Sequence, residues 1–249
     1  MALKSFEDVL ESVAGVDGWM SDDQARRLFD AAASTRPGEQ IVEIGSFRGR
    51  STIVLASAAP DGVRVFAIDP HAGNDRGPEE IDGFEAEAAD DHEVFNRNLA
   101  AAGVDARVTH LRLFSDKAHR EVRGPVAVLY VDGAHRYKPA RADIRTWGTR
   151  VGDGGTMLIH DSFSSVGVTL AILRELLLGA RFRYVGRARS MTVYEASLEV
   201  GLQPRLVNAA RQLAQLPWFA KNLTLKVLLK LKLGGFLRRV VGHDVEWPY

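Results

Sequence analysis

Five short apolar runs recur along the chain: QIVEIG (40–45), VRVFAID (63–69), ARVTHLRLF (106–114), PVAVLYVD (125–132) and GTMLIHD (155–161). They are rich in Val, Ile and Leu, and four of them end at Gly or Asp. Continuous apolar runs of this length suit strands buried on both faces of a sheet. Helix-length segments lie between them, at 49–59, 84–102, 115–122 and 136–148. Strand and helix in alternation predict an α/β fold, a doubly wound and mostly parallel sheet with helices on both faces. Two helices precede it, 4–14 and 21–35, the second opened by a Ser21 cap with acids in its first turn. After residue 161 the pattern gives a helix (165–178) and two strands, FRYVGRA (182–188) and SMTVYEA (190–196). Only Arg189 separates those strands, which predicts a C-terminal antiparallel hairpin at the sheet edge.

Composition narrows the picture. The chain has 249 residues, 46% hydrophobic and 26% charged, enough for one globular domain with a large core. It contains no cysteine, which excludes disulfides, thiolate metal sites, iron–sulfur clusters and a cysteine nucleophile. Residues 1–20 hold several acids and no long apolar core, so no secretory leader is expected, and no stretch has the length needed to cross a bilayer. The expected location is cytoplasmic. The 32 basic and 32 acidic residues balance, but unevenly. Residues 201–249 carry eight Arg or Lys against Asp244 and Glu246, so this segment is +6 and residues 1–200 are −6. The acidic balance of residues 1–200, without a base-stacking motif, disfavours a nucleic-acid partner.

In an open parallel sheet, ligands bind beyond the carboxyl ends of the strands. The first strand runs into Glu43-Ile44-Gly45-Ser46-Phe47-Arg48-Gly49-Arg50-Ser51, where Gly45 and Gly49 permit a tight turn and Ser51 opens a helix. The turn serves either a ligand or ordinary strand–helix geometry; it lacks the G-x-G-x-x-G pattern of dinucleotide binders. Asp69 ends the second strand, placed to accept hydrogen bonds from a ribose diol. The third ends Phe114-Ser115-Asp116, which either faces an adenine ring or caps the next helix. Asp132 ends the fourth strand and Asp161 the fifth; if the two strands are neighbours, about 4.8 Å apart, both acids can hold one divalent ion. His160 reads as a ligand tilting that site toward a transition metal or as a ring packed under the sheet. His135, three residues past Asp132, reads as a general base or as a plain loop histidine.

IVEIGSFRGRSTIVLA, VFAIDPHAG, FSDKA, VLYVDGAHRYKPARADIRTW and GGTMLIHDSF together resemble the class I S-adenosylmethionine-dependent methyltransferases. Within them the likeness is to bacterial metal-dependent O-methyltransferases of the macrolide-sugar type, more distantly to catechol O-methyltransferases, over about residues 38–196. The resemblance implies a Rossmann-like fold. Glu43, Gly45 and Ser46 would then contact the methionine part of the cofactor, with Phe47, Arg48, Gly49 and Ser51 shaping the loop. Asp69 would hold the ribose, Phe114 and Ser115 the adenine. Asp132 would lie between cofactor and acceptor and join Asp161 around a magnesium-like ion. Where such relatives carry an acid pair or Asp-Asn at the end of the fifth strand, this chain has His160-Asp161.

The implied reaction is methyl transfer to a hydroxyl of a sugar or glycoconjugate, or of an oligosaccharide, with His135 as base and Asp132 as runner-up. Methylation of a phenol or other small natural product is the enzymatic alternative, and a non-catalytic nucleotide-binding module acting through its tail the other. The expected organisation is N-terminal helices on the acceptor side (1–36), a cofactor-binding domain (37–200) and a basic amphipathic extension (201–249). Trp19, Arg26 and His71 are positioned to line the pocket, and loop 72–83 to cover it. Residues 217–240 contain no acid and favour a helix. They suit packing on the domain or a homodimer, a membrane-peripheral contact, or an acyl-bearing or anionic acceptor.

Overall fold

A computed structural model describes residues 4–73 and 89–231. Helices α1 (Phe6–Ser12) and α2 (Asp22–Ala33) open on capping boxes, in which Ser5 pairs with Asp8 and Ser21 with Gln24. Strand β1 (Gln40–Ile44) is wholly buried and leads through the glycine turn into α3 (Arg50–Ala58), buried from Ser51 onward. Then follow β2 (Arg64–Ile68), α4 (Asp91–Ala102), β3 (Val108–Leu111), the single turn α5 (Ser115–Ala118), β4 (Val126–Val131), α6 (Tyr137–Gly148) and β5 (Val151–Ile159). Helix α7 (Val166–Glu175), the hairpin β6 (Arg183–Ala188) and β7 (Met191–Glu195), and helices α8 (Leu202–Leu213) and α9 (Leu216–Lys230) complete the described chain.

The sheet order is β3-β2-β1-β4-β5-β7-β6, parallel from β3 to β5 and antiparallel through β7 and β6. The order reverses between β1 and β4, which puts the crevice of a doubly wound sheet at their carboxyl ends. The fold is the Rossmann-like sheet with a C-terminal antiparallel hairpin that the sequence predicts; β6 forms the edge and β7 pairs with β5. Alternation along each strand splits the core in two. Ile41, Val65, Ala67, Val128, Tyr130 and Leu158 face α1, α2, α3 and α4, whereas Val42, Ile44, Phe66, Leu129 and Met157 face α6 and α7.

Several boundaries differ from the sequence reading. β5 starts at Val151 rather than 155, because pairing of Val126 with Val151 resumes beyond an irregularity at the glycine-rich stretch 152–155. β3 is four residues long, with a 3₁₀ turn at Asp105–Arg107 where the apolar pattern suggested strand. Helix α8 has no counterpart in the sequence reading. Its Asn208 is buried and bonds across to β6, accepting from the Tyr184 amide and donating to the Phe182 carbonyl. Helix α9 packs back onto the domain: Leu216, Trp218 and Phe219 lie against the α6/α7 core, and buried Asn222 donates to the Phe163 carbonyl. Residues 74–83, the tip of the expected covering loop, and 232–240 of the tail lie outside the described residues. Among the described residues, no helix is long and apolar enough to cross a membrane.

Candidate active site

Register decides which side chains meet. Val131 pairs with Ile159, Ile44 with Val131 and Ile44 with Ile68. One step further along, Asp69, Gly45, Asp132 and His160 therefore line up across four adjacent strand ends, on the face that carries α3. Asp132 consequently meets His160 across the strand pair, its Oδ1 3.0 Å from Nδ1, and Asp161 would point away. A left-handed backbone at Asp161 (φ 51°) turns the carboxylate back, 3.5 Å from His135 Nδ1 and 3.8 Å from His160 Nδ1. His135 Nε2 stands 3.7 Å from Asp132 Oδ1, and the Ser165 hydroxyl ahead of α7 donates to the His135 carbonyl. Tyr130 donates its hydroxyl to Asp132 Oδ2 at 2.8 Å.

Four groups thus form one cluster. For Asp132, His135 and His160, burial opposes the charged form, but the ion pairs prevail. Beside His160 and His135, Asp132 is held well below the usual carboxylate range. The same acids raise His135, and His160 is pushed up to about 9 by Asp132 and Asp161, with the Trp19 carbonyl adding to the effect. Asp132, His135 and His160 each offer a donor atom within 4.8 Å of the others, so His135, read as a base, also belongs to the ligand geometry. Asp161 Oδ1 is buried and accepts no hydrogen bond among the described residues.

The cluster opens into a cavity of about 310 Å³, within the roughly 300–1,000 Å³ common for small-molecule sites. Of the residues read from sequence, Gly45, Ser46, Phe47, Ser51 and Asp69 line it near the first two strands. Phe114 and Ser115 line it beyond the third, and Asp132, His135, His160 and Asp161 beyond the fourth and fifth. Asp69 organises the wall: its Oδ2 accepts the Ser46 and Phe47 amides, each at 2.9 Å, and its Oδ1 the His71 amide at 2.8 Å. Phe47, His71 and Asp161 all adopt left-handed backbone, which costs about 1–3 kcal/mol each and tends to collect at functional sites. Ser46 Oγ is buried on this wall and makes no hydrogen bond among the described residues, which leaves a polar atom for a ligand.

Three residues take supporting places instead. Glu43 lies beneath the turn, fully buried, accepting the Ser51 and Thr52 hydroxyls, and its carboxyl is pushed up to about 8 by burial. Alternation explains this, since Glu43 shares the α3 face with Tyr130. Arg48 turns outward to Asp91 (2.9 Å) and Asp17 (2.5 Å). Gly49 is glycine for packing as well as for its φ of 90°: a Cβ there would meet Leu99 Cδ1 at 2.7 Å. Arg26, expected at the pocket, pairs with Glu7 at 3.0 Å and covers the Phe6 ring. Trp19 does line the cavity, stacked on Phe47 with ring centroids 5.4 Å apart.

Asp143 escaped the sequence reading. It lines the cavity with a carboxyl that accepts the Ser115 hydroxyl and is raised to about 6 by burial. The signal is present in the pattern: Ala140, Ile144 and Trp147 form the buried stripe of α6, and an acid at 143 interrupts it. Asp91, the first residue of α4, and the stretch Asp17-Gly18 also line the cavity, but neither carries a comparable mark in the sequence.

A family model described as a methyltransferase domain matches residues 42–162, from within β1 to just past the end of β5, with every strand-end residue above. Solved structures share the fold. The O-methyltransferase NovP aligns with a TM-score of 0.55 at 18% identity, covering 71% of this chain and 81% of its own. TomG, an O-methyltransferase from Streptomyces achromogenes involved in tomaymycin synthesis and solved with S-adenosylmethionine, gives 0.50 at 18%, covering 79% and 92%. A Bacillus cereus O-methyltransferase in complex with S-adenosylhomocysteine gives 0.50 at 17%, covering 78% and 93%. Residues 42–162 thus match a methyltransferase domain, and the chain shares the fold of these O-methyltransferases, with the crevice at the β1/β4 reversal.

Proposed function

We propose that the chain moves a methyl group to a hydroxyl oxygen of a sugar or glycoconjugate, assisted by a divalent cation. The observation that carries this reading is the Asp132–His135–His160–Asp161 cluster at the rim of the cavity. Simple nucleotide binding has no use for two acids and two histidines converging there. The O-methyltransferase names of the structural neighbours support oxygen as the acceptor atom. The sugar class rests on the resemblance of DGAHRYKP and IHDSF to the macrolide-sugar enzymes.

The cofactor, when bound, supplies a methyl group already made electrophilic by its sulfonium. What the chain must add is alignment, exclusion of water and removal of a proton. Asp69, with three backbone amides on its carboxylate, fixes the loop on which Ser46 and Phe47 present themselves to the cofactor. Phe114 and Ser115 are assigned to the adenine and the buried Asp143 behind Ser115 to its edge. His135, held by Asp132 and Asp161 through opposite ring nitrogens, accepts the acceptor's hydroxyl proton once it is itself neutral. Asp132, His160 and Asp161 would hold the cation, which lowers the acceptor's pKa when present. Asp161 Oδ1, which accepts no hydrogen bond among the described residues, fits a ligand, and imidazole beside carboxylate favours a first-row transition metal over magnesium, whose ligands are oxygens.

The test is methyl transfer from labelled cofactor to a panel of sugars, glycoconjugates and phenols, with and without Mn²⁺ or Mg²⁺. Transfer to carbohydrate hydroxyls, enhanced by metal, is expected. Transfer to phenols alone would replace the acceptor class, and no transfer to any hydroxyl would end the reading.

A further inference from the structure

A second cluster of ligand atoms lies on the ribose side of the crevice, away from the Asp132 cluster. His71 follows β2, His92 sits in the first turn of α4, and His110 is on β3 opposite Ala67. Their ring centroids are 4.7 Å (His71–His110), 5.2 Å (His92–His110) and 5.7 Å (His71–His92) apart, and the fully buried Phe95 packs against His71 and His110. Each ring offers a nitrogen within 4.8 Å of the others.

The hydrogen bonding leaves ring nitrogens over in this cluster. His110 Nε2 is 3.2 Å from the Asp69 carbonyl, so Nε2–H donates there and the Nδ1 lone pair is left over. His92 Nε2 accepts from the Asn96 side-chain amide at 3.2 Å, while its Nδ1 is buried without a hydrogen bond among the described residues; ligation through Nδ1 requires the Asn96 amide to turn and present its oxygen to Nε2–H. Both nitrogens of His71 are buried and unbonded, the nearest acid oxygen, Asp69 Oδ2, being 4.0 Å away. Buried polar atoms are nearly always satisfied, and a strained backbone (φ 47°) holds the His71 ring in this position. Metal-bound histidines commonly donate the second ring nitrogen to a backbone carbonyl or amide, as His110 does here. Arg112 donates to the Pro70 carbonyl.

We propose that His71, His92 and His110 form a zinc-class transition-metal site, separate from the Asp132 cluster. Three neutral imidazoles without a carboxylate suit zinc or cobalt, tetrahedral with one position left for water or a ligand from the cavity that His71 lines. A bound ion would tie together the β2 end, β3 and α4, the elements around Asp69. The proposal stands independently of the acceptor reading, since its readout is metal binding.

The test uses the full chain stripped of metal and titrated with Co²⁺, followed by visible spectroscopy and by metal analysis after desalting. Wild type is expected to show tetrahedral cobalt bands and at least one tightly held equivalent. The bands should persist in Asp132→Asn/His160→Gln and vanish in His92→Asn/His110→Asn. Should that second variant fail to fold, His92→Asn alone, altered at a half-buried helix position, is expected to weaken binding at least roughly 100-fold, beyond the roughly 10–100-fold typical of losing an outer partner. Bands that survive the histidine substitutions, bands lost with the Asp132 cluster, or no tetrahedral signal at all would each overturn the proposal.

Discussion

Glu43 gives the sharpest physical test of how the site is built. Its carboxyl is fully buried under the glycine turn, where desolvation raises its pKa from 4.5 to about 8 against the pull of the Ser51 and Thr52 hydroxyls. An acid with a raised folded-state pKa keeps its proton in the native state while the unfolded chain has lost it. Stability should therefore fall as pH rises from about 4.5 to about 8, by up to about 1.4 kcal/mol per pH unit. The whole window is worth about 5 kcal/mol, of which about 3 kcal/mol is already lost at pH 7. Glu43→Gln mimics the protonated acid and removes that slope. Urea unfolding at pH 5, 6, 7 and 8 should show the variant within about 1 kcal/mol of wild type at pH 5, and more stable than it by about 3 kcal/mol or more at pH 8, with m unchanged. Taking the difference between the two proteins cancels every other titrating group. A difference that stays constant with pH would mean that Glu43 is ionised in the native state and that the two hydroxyls outweigh desolvation. It would also restore Glu43 as an anionic contact for the cofactor's ammonium group, a role a neutral carboxyl cannot fill.

Other consequences are equally direct. His135→Ala should lower kcat by roughly 10²–10⁴-fold while S-adenosylhomocysteine binding, followed by calorimetry, stays within a few-fold; equal turnover would remove His135 as base. Gly45→Ala places a Cβ 2.2 Å from the Asp132 carbonyl oxygen at φ 84°, so thermal unfolding should reveal a loss above about 2 kcal/mol, and a neutral outcome would show that β1 and β4 part easily. Phe114→Ala, removing a half-exposed ring at the assigned adenine wall, should weaken cofactor binding by roughly 2–10-fold. Unchanged affinity would move the adenine elsewhere.

Much of the architecture was legible because both-face-buried strands leave a continuous apolar signature that loops and surface helices do not. Strand ends could be read as well, since Asp69, Asp132 and Asp161 stand where apolar runs stop. What the pattern could not supply was register. That Asp132 faces His160, and that Asp161 reaches the cluster through a left-handed turn, depends on pairing Val131 with Ile159 and on a φ of 51°. Glu43 looked like a ligand contact because it sits near a strand end; it shares the face of the site but lies two residues back, beneath the turn, where the Ser51 and Thr52 hydroxyls of α3 hold it. The three-histidine cluster unites residues from 71 to 110 that no local spacing connects, and Asp143 was visible only once α6 had a known buried stripe. Helix α8 was hidden because its buried face is built on Asn208 and Gln212, polar residues that no hydrophobic period marks.

The central claim is that the crevice at the β1/β4 reversal seats the methyl donor with its reacting end toward Asp132 and His135. A structure of the complex with S-adenosylhomocysteine tests this most directly. It should show the ribose at Asp69, the adenine beside Phe114 and Ser115, and the sulfur on the Asp132 side. A ligand bound outside that cavity, or seated with its sulfur away from Asp132 and His135, would contradict it.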